Sequence, residues 1–208
     1  MKLIELSTGD YIREMGSDSP APGGGSASAL CGAQAAALLA MVGRLTIGKK
    51  KYADVQELAE ETVNRADRLK EALTEIIDRD TESFQAVSAV FAMPKETEEE
   101  KAARKQAMQE ALKLCTVTPL EMMRLGKEGL LLAEKAAGKL NLTAASDLGC
   151  AVLGFRSCID GAWLNVLINI AGITDEAYAA GCREEGGAIV RESAALADRL
   201  YEKVKGLI

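Results

Sequence analysis

Apolar residues recur at three- and four-residue spacing over most of the chain, which is the period of an amphipathic helix. Alternating β-branched and aromatic residues, the pattern of strands, are nearly absent, and only four prolines interrupt the helix formers. We therefore predict an all-α fold, an elongated antiparallel helical bundle that forms one domain over residues 1–208. The predicted helices cover 8–15, 26–46, 54–93, 97–116, 119–138, 144–170 and 175–205.

The predicted helix over 54–93 is unusually long. About 40 residues at 1.5 Å per residue give a rod of roughly 60 Å. Such a rod must be covered along its apolar side, and a compact chain of 208 residues has no need of that length. The pattern therefore favours a bundle completed by a second subunit, and we expect a homodimer.

Asp80 falls inside the apolar stripe of this long helix, four residues after Ile76 and four before Phe84. A carboxylate in such a stripe is costly unless it is paired, hydrogen-bonded or protonated. Two interpretations stay open: a structural carboxylate satisfied by a neighbouring Arg, Lys or amide, or a general base in a cleft between helices. Asp78 is expected to face solvent. The stripe consists of Leu69, Leu73, Ile76, Ile77, Phe84, Val87 and Phe91.

A second, narrow stripe of small and polar residues follows the predicted helix over 144–170. Asparagine is a poor helix former, so Asn165 and Asn169, one turn apart, are expected to direct their amides at something specific. They either bind a ligand or cross-link neighbouring helices. The stripe consists of Asp147, Ala151, Gly154, Cys158, Ala162, Asn165 and Asn169.

The turn before the second helix combines two prolines, Pro20 and Pro22, with Gly23, Gly24, Gly25 and Ser26. Glycines expose backbone N–H groups, and a helix start offers further unpaired donors. Three consecutive glycines are more than a helix cap requires. We therefore predict a cradle for an anion or a polar ligand.

Residues 43–50 differ from a phosphate-binding Walker loop at the last position, and no strand pattern accompanies them, which argues against a nucleotide site. Lys49, Lys50 and Lys51 are better explained by a favourable position at a helix C-terminus. They could also attract a polycarboxylate ligand tail.

Composition narrows the chemistry. The chain has 25 Lys plus Arg, 31 Asp plus Glu and no histidine, for a net charge of −6, so histidine-based catalysis is excluded. No basic stripe with interleaved aromatics indicates a nucleic-acid partner. Five cysteines without a CxxC pair fit neither a disulfide framework nor a thiolate metal site, and a reducing cytoplasm is expected. Polar residues interrupt the most apolar windows, so no membrane span is predicted.

Eight blocks, in order along nearly the whole chain, closely resemble the cyclodeaminase/cyclohydrolase family of tetrahydrofolate enzymes. The block over 78–84 reads Asp-Arg-Asp-Thr-Glu-Ser-Phe, and that over 165–169 reads Asn-Val-Leu-Ile-Asn. The remaining blocks cover 20–26, 41–43, 48–52, 93–95, 118–120 and 146–148. Each block alone would be a weak signal, but their combination is specific.

The resemblance implies an all-helical homodimer with a folate cleft between helices, and Asp80, four residues before Phe84, as its catalytic aspartate. It also implies hydrolysis of 5,10-methenyltetrahydrofolate to 10-formyltetrahydrofolate without metal or cofactor, by a stand-alone bacterial form. The alternatives are a formiminotetrahydrofolate cyclodeaminase that releases ammonia and, in another class, a non-catalytic helical interaction protein. The expected substrate-binding residues are Pro22, Gly23, Gly24, Gly25, Ser26, Lys49, Lys50, Asp147, Asn165 and Asn169.

Overall fold

The computed structural model describes residues 2–208, and within that range it consists of helices and turns without a strand. The all-α prediction is confirmed. Three short 3-10 helices, Leu3–Glu5, Lys50–Val55 and Leu142–Ala144, accompany six α-helices. The α-helices are α1 (Thr8–Met15), α2 (Gly24–Arg44), α3 (Gln56–Phe91), α4 (Glu98–Ala136), α5 (Ala145–Ile170) and α6 (Glu176–Lys205).

Capping residues explain where several helices begin and end. Ser7 Oγ accepts the N–H of Asp10 at the start of α1. Thr97 and Glu100 form a reciprocal capping box at the start of α4, which satisfies two backbone donors that the helix cannot satisfy itself. Gly138 follows the end of α4 with a φ of 80°, a conformation that glycine adopts without strain.

The prediction of two helices over 97–116 and 119–138 is wrong, because α4 continues through Pro119. A proline inside a helix leaves the carbonyl four residues earlier without its usual N–H partner. Here that carbonyl belongs to Cys115, and the side-chain Nδ2 of Asn169 on α5 donates to it at 2.8 Å. A side chain from a neighbouring helix thus supplies the hydrogen bond that the proline, which has no backbone N–H, cannot donate.

Helices α2 and α3, which are consecutive α-helices in the chain, run antiparallel. Ser26 near the start of α2 contacts Ile77 late in α3, whereas Arg44 at the end of α2 pairs with Asp67 earlier in α3. The α5 helix packs against α2, α4 and α6, and α4 also covers α3. The prediction of an elongated antiparallel helical bundle is therefore confirmed at the level of the fold.

Long apolar side chains and small residues alternate in the core. Leu73, Ile76 and Phe155 are fully buried, and each such side chain contributes about 1.5–3 kcal/mol relative to exposure. The ring of Phe155 lies directly over Gly129, where a side chain on α4 would overlap it. Glycine at this position lets α4 and α5 approach closely.

The apolar side of α3 is covered without a second subunit. The helix has 36 residues, and the uninterrupted α4, with 39 residues, packs along it within the same chain. The length of the third helix therefore no longer favours a dimer by itself, because α4 supplies the cover that a second subunit was expected to give.

Two segments, Gly24–Arg44 and Leu142–Ile170, are long and apolar enough to cross a membrane by length and composition. Within the bundle, 61% of the apolar window of the first is buried and 39% of that of the second. The core helix of a soluble protein passes the same test, so this is weak evidence for a membrane span. The expected absence of a span stays a prediction.

Candidate functional site

A cleft of about 500 Å³ opens where α2 begins, between α3, α4 and α5. This volume lies within the usual range of small-molecule sites, about 300–1,000 Å³. Among the described residues that line the cleft, Asp80 is the only one with a charged side chain. The lining residues are Pro20, Ala21, Gly23, Gly24, Gly25, Asp80, Thr81, Ser83, Phe84, Val87, Phe91, Leu112, Cys115, Asn165, Ile168 and Asn169.

The carboxylate of Asp80 is held by the first turn of α2. The backbone N–H of Ser26 donates to it, and Ser26 Oγ lies 3.4 Å from Oδ2. The same hydroxyl lies closer to the carbonyl oxygen of Ile77, at 2.9 Å, which fixes the α2–α3 contact. The anion that the helix start binds in this chain is thus Asp80 itself.

Gly25 makes this approach possible. A Cβ atom at position 25 would overlap both carboxylate oxygens of Asp80. At Gly24, by contrast, the nearest atom to such a Cβ would be Asn165 Nδ2, at 3.7 Å, an ordinary contact. The glycine run predicted as a ligand cradle therefore includes one position that has to be bare to seat the carboxylate.

Burial raises the pKa of Asp80 above its usual value of 3.8, although the hydrogen bonds from Ser26 oppose the shift. Two neighbouring groups stay protonated at neutral pH. Burial, with the nearby Asp80 charge, raises the pKa of Tyr11 to about 12 and that of Cys115 to about 11. Asp80 is therefore the group in this region best suited to accept a proton.

No cation pairs with Asp80 among residues 2–208. The adjacent Arg79 forms a two-fold contact with Glu121 on α4, at 2.6 and 3.2 Å, and is thereby turned away from the cleft. The structural interpretation required a neighbouring Arg, Lys or amide as the partner of Asp80. No Arg or Lys of the described residues fills that role, and Ser26 on the neighbouring α2 is the hydrogen-bond partner of Asp80. The carboxylate is partly buried and faces an open space, in which it can attract a cation or orient a water molecule.

The structure brings both predicted asparagines to the cleft. Asn165 Nδ2 donates to the carbonyl of Gly161, at 2.9 Å, within its own helix, and Asn169 Nδ2 donates to Cys115 across to α4. Both amide nitrogens are thus used within the protein. Asn169 thus lines the cleft and also cross-links α5 to α4, whereas Asn165 lines the cleft and bonds only within α5, so the cross-linking interpretation holds for Asn169 alone.

Six predicted site residues line the cleft: Asp80, Gly23, Gly24, Gly25, Asn165 and Asn169. Pro22 and Ser26 are buried beside it, in the segment that shapes it. Asp147, Lys49 and Lys50 do not line it. Asp147 lies in the first turn of α5, and the lysines follow the end of α2, so both groups lie a helix length, roughly 30 Å, from the cleft.

Lys49, Lys50 and Lys51 also lie outside the last turn of α2, which contains Arg44 instead. Lys49 precedes the 3-10 helix Lys50–Val55, after a turn in which Gly48 has a φ of 76°. The interpretation of these lysines as C-terminal helix cations is therefore wrong for α2.

Two further expectations need correction. Asp78 is buried rather than solvent-facing, because its Oδ1 accepts the backbone N–H of Leu3 at 2.6 Å and so ties the N-terminal segment to α3. Phe84 and Phe91 belong to the predicted apolar stripe but are partly exposed, at 39% and 64%. They leave the core where α3 passes along the cleft, and their rings line it.

Several lining residues were not singled out from the sequence. Thr81 and Ser83 follow Asp80 on α3, and their position in the hydrophobic pattern does not mark them as site residues. Cys115 and Leu112 come from α4, and only the packing of α4 against α3 and α5 brings them to the cleft. Within residues 2–208 there is no group of three or more His, Cys, Asp or Glu that could hold a metal ion.

The fold is an antiparallel helical bundle, and its cleft holds one partly buried carboxylate, an arrangement suited to proton transfer on a small ligand. The sequence model of the family described as Formiminotransferase-cyclodeaminase matches residues 7–187. The chain therefore belongs to this family, and it is an enzyme. The predicted resemblance is confirmed, and the alternative of a non-catalytic interaction protein is rejected.

Individual proteins of known name are similar to this chain, in agreement with the family assignment. A methenyltetrahydrofolate cyclohydrolase of Methylorubrum extorquens is 42% identical over 95% of both chains. A formimidoyltransferase-cyclodeaminase of Sus scrofa is 32% identical over 98% of this chain, which spans 38% of that longer protein. The crystal structure of a formiminotetrahydrofolate cyclodeaminase from Thermotoga maritima superposes with a TM-score of 0.81 at 30% identity, over 97% of this chain and 95% of the other.

Proposed function

We propose that this folate one-carbon enzyme hydrolyses 5,10-methenyltetrahydrofolate to 10-formyltetrahydrofolate, with Asp80 as general base. The observation that carries the proposal is the position of Asp80, the only charged residue among those described around the cleft. The substrate has a delocalised cation over N5, the bridging carbon and N10. A negative site with no competing lysine or arginine favours such a cation.

The reaction requires only proton transfers. The oxygen of a water molecule attacks the bridging carbon, and the Asp80 carboxylate accepts a proton from that water. This step neutralises the cation. The protonated carboxyl then returns the proton to N5 as the bond between N5 and the bridging carbon breaks. The remaining hydroxyl proton is released as the carbon–oxygen double bond forms, so the formyl group stays on N10, and the substrate cation plus water become the neutral product and one proton. A raised pKa suits both steps, since Asp80 must accept and donate the same proton.

The relative from Methylorubrum extorquens supports this reaction over its alternative, because it is a cyclohydrolase that matches nearly end to end. The structure from Thermotoga maritima supports the alternative, a cyclodeaminase, with the same fold at lower identity. The same carboxylate could assist N10 attack on a formimino carbon and the departure of ammonia.

An assay of the purified protein on both substrates separates the two reactions. Loss of the methenyl absorbance is measured on 5,10-methenyltetrahydrofolate, and ammonia is measured on 5-formiminotetrahydrofolate. We expect a kcat/KM at least tenfold higher for the first substrate. Ammonia release with an equal or higher kcat/KM would replace the cyclohydrolase assignment with the cyclodeaminase. No turnover of either substrate would overturn the proposed function.

We further propose that the enzyme is a homodimer that associates through the α2/α5 face, defined by Ala27, Cys31, Leu38, Leu153 and Leu164. Residues 24–43 carry no charged side chain, although α2 is only partly covered. Leu153 and Leu164 on α5 are 50% and 66% exposed. Helices that face water normally carry charged residues on the outer side, and extended apolar patches mark interfaces.

An antiparallel arrangement of two copies across this face would bring the lysine end of one copy to the cleft end of the other. A parallel arrangement would instead bring the two groups of three lysines together, which like-charge repulsion disfavours. The cleft lining offers no cation for a glutamate tail. We therefore propose that Lys49 and Lys50 bind the tail of the substrate held by the second copy.

Replacement of both lysines tests this assignment. The double variant Lys49→Gln/Lys50→Gln is expected to raise KM for a polyglutamylated substrate several-fold more than for the monoglutamate, with kcat unchanged. Equal KM changes for both substrates would contradict a role in tail binding. Cytoplasmic location and the absence of a nucleic-acid partner stay predictions from composition.

A further inference from the structure

The proline inside α4 does not line the cleft, yet it acts on the cleft through one hydrogen bond. Pro119 has no backbone N–H, so the carbonyl of Cys115 has no partner within its helix. Asn169 Nδ2 donates to that carbonyl at 2.8 Å. Since the amide is planar, this bond also decides where the oxygen of Asn169 points.

Asn165 is fixed in a comparable way, through the bond from its Nδ2 to the carbonyl of Gly161 at 2.9 Å. Neither Oδ1 atom, of Asn165 or of Asn169, accepts a hydrogen bond from a described residue. Both side chains line the cleft. The two amides therefore offer the cleft their oxygens, which are acceptors, while each nitrogen already donates one hydrogen bond to a backbone carbonyl.

We propose that Pro119 is a positioning residue, which holds Asn169 so that the two asparagine oxygens recognise a ligand edge made of N–H donors. An amide free to turn could equally present its NH₂ group and would accept either kind of edge. With both nitrogens engaged, the cleft selects a ring that carries an N–H beside an exocyclic amino group. The pterin ring of a folate has such an edge, and in naming it the inference rests on the proposed function.

Pro119→Ala tests the positioning role. Alanine restores a backbone N–H at position 119 that can bond the Cys115 carbonyl in the ordinary helical way, and so competes with Asn169. We expect KM for 5,10-methenyltetrahydrofolate to rise about three- to tenfold, the effect of one neutral hydrogen bond, with kcat within twofold of wild type. The melting temperature should stay equal or rise, because alanine is the better helix former.

A double-mutant cycle with Asn169→Ala shows whether Pro119 acts through this side chain. In the Asn169→Ala background, Pro119→Ala should no longer change KM. A 2-desamino analogue of the folate, which lacks the exocyclic amino group, serves as the second probe. Wild type should bind tetrahydrofolate more tightly than the analogue, by calorimetry, and Asn169→Ala should bind the two almost equally.

The outcomes separate this inference from the proposed function. If Pro119→Ala leaves KM unchanged, or raises it equally in the Asn169→Ala background, the positioning role is overturned. If wild type binds folate and analogue equally, the selection of a donor edge is overturned while the folate assignment stands. If wild type binds neither compound, the proposed function fails first.

Discussion

The backbone of Gly25 lies against the carboxylate of Asp80, with no room for a side chain between them. This contact joins the first turn of α2 to the later part of α3, 55 residues further along the chain. It places the carboxylate at the N-terminal end of a helix, where the Ser26 N–H stabilises its charged form, while burial opposes that charge. The site thus depends on a single close approach between two helices.

Gly25→Ala should abolish this arrangement. The new methyl group would overlap both Asp80 oxygens, so the carboxylate must move or α2 must shift, at a cost of about 1–3 kcal/mol in unfolding free energy. We expect turnover to fall at least 100-fold. Gly24→Ala is the matched control, since its methyl group meets only Asn165 Nδ2, at 3.7 Å, and should leave the melting temperature nearly unchanged. Equal activity losses in both variants would contradict the explanation.

Asp80→Asn removes the proton acceptor and keeps the shape. Loss of a general base lowers kcat about 10²–10⁴-fold. The measurement is the rate at which methenyl absorbance disappears, with circular dichroism to verify the helical fold. Glu82→Gln changes an exposed carboxylate two residues away and should retain full activity. An Asp80→Asn enzyme with wild-type turnover would remove the proposed mechanism.

The same variant should be more stable than wild type, by an amount that depends on pH. Because burial raises the pKa of Asp80 in the folded state, folding favours the protonated carboxyl. Wild type therefore loses stability as pH rises from about 3.8, the unfolded value, through the folded value, whereas the amide that replaces the carboxyl group in the variant does not titrate. The difference in melting temperature between variant and wild type should grow from pH 3.5 to pH 7. A difference that shrinks over this interval would contradict the direction of the shift.

Activity should show the corresponding acid limb. Only the ionised carboxylate can accept a proton from water, so kcat/KM, which reports the free enzyme, should fall as pH decreases through the pKa of Asp80, with an inflection above 3.8. Tyr11 and Cys115, with pKa values raised to about 12 and about 11, should not contribute between pH 4 and pH 8. Replacing Cys115 with serine should leave the inflection within a few tenths of a pH unit. An inflection at or below 3.8 would argue against Asp80.

Leu164→Glu tests the dimer. A charge on the α2/α5 face would have to be buried on association, so the variant should elute as a monomer in size-exclusion chromatography with light scattering. Leu131→Glu is the control, because Leu131 is 45% exposed on α4, away from that face. A wild-type protein that is monomeric at micromolar concentration would contradict the proposed dimer. A dimer that dissociates in the Leu131→Glu variant but not in the Leu164→Glu variant would contradict the proposed interface.

The sequence alone determined the class of fold and the central carboxylate. Helical periodicity is a local property, so it predicted most helix boundaries within a few residues. Asp80 was identifiable because an ionised group in an apolar stripe conflicts with its neighbours on the same helix face. Asn165 and Asn169 were identifiable for a similar reason, since they are polar residues among small ones.

Only the tertiary structure decided the features that depend on atoms far apart in the chain. Pro119 signals a helix end by local rules, yet α4 continues because Asn169 on α5 supplies the missing hydrogen bond. The hydrogen-bond partners of Asp78 and Asp80 could not be predicted from the sequence of α3. They are Leu3 for Asp78 and Ser26 for Asp80, both far away in the chain. Periodicity reports which side of a helix is apolar, whereas packing between helices decides whether that side meets a core, a cleft or another backbone.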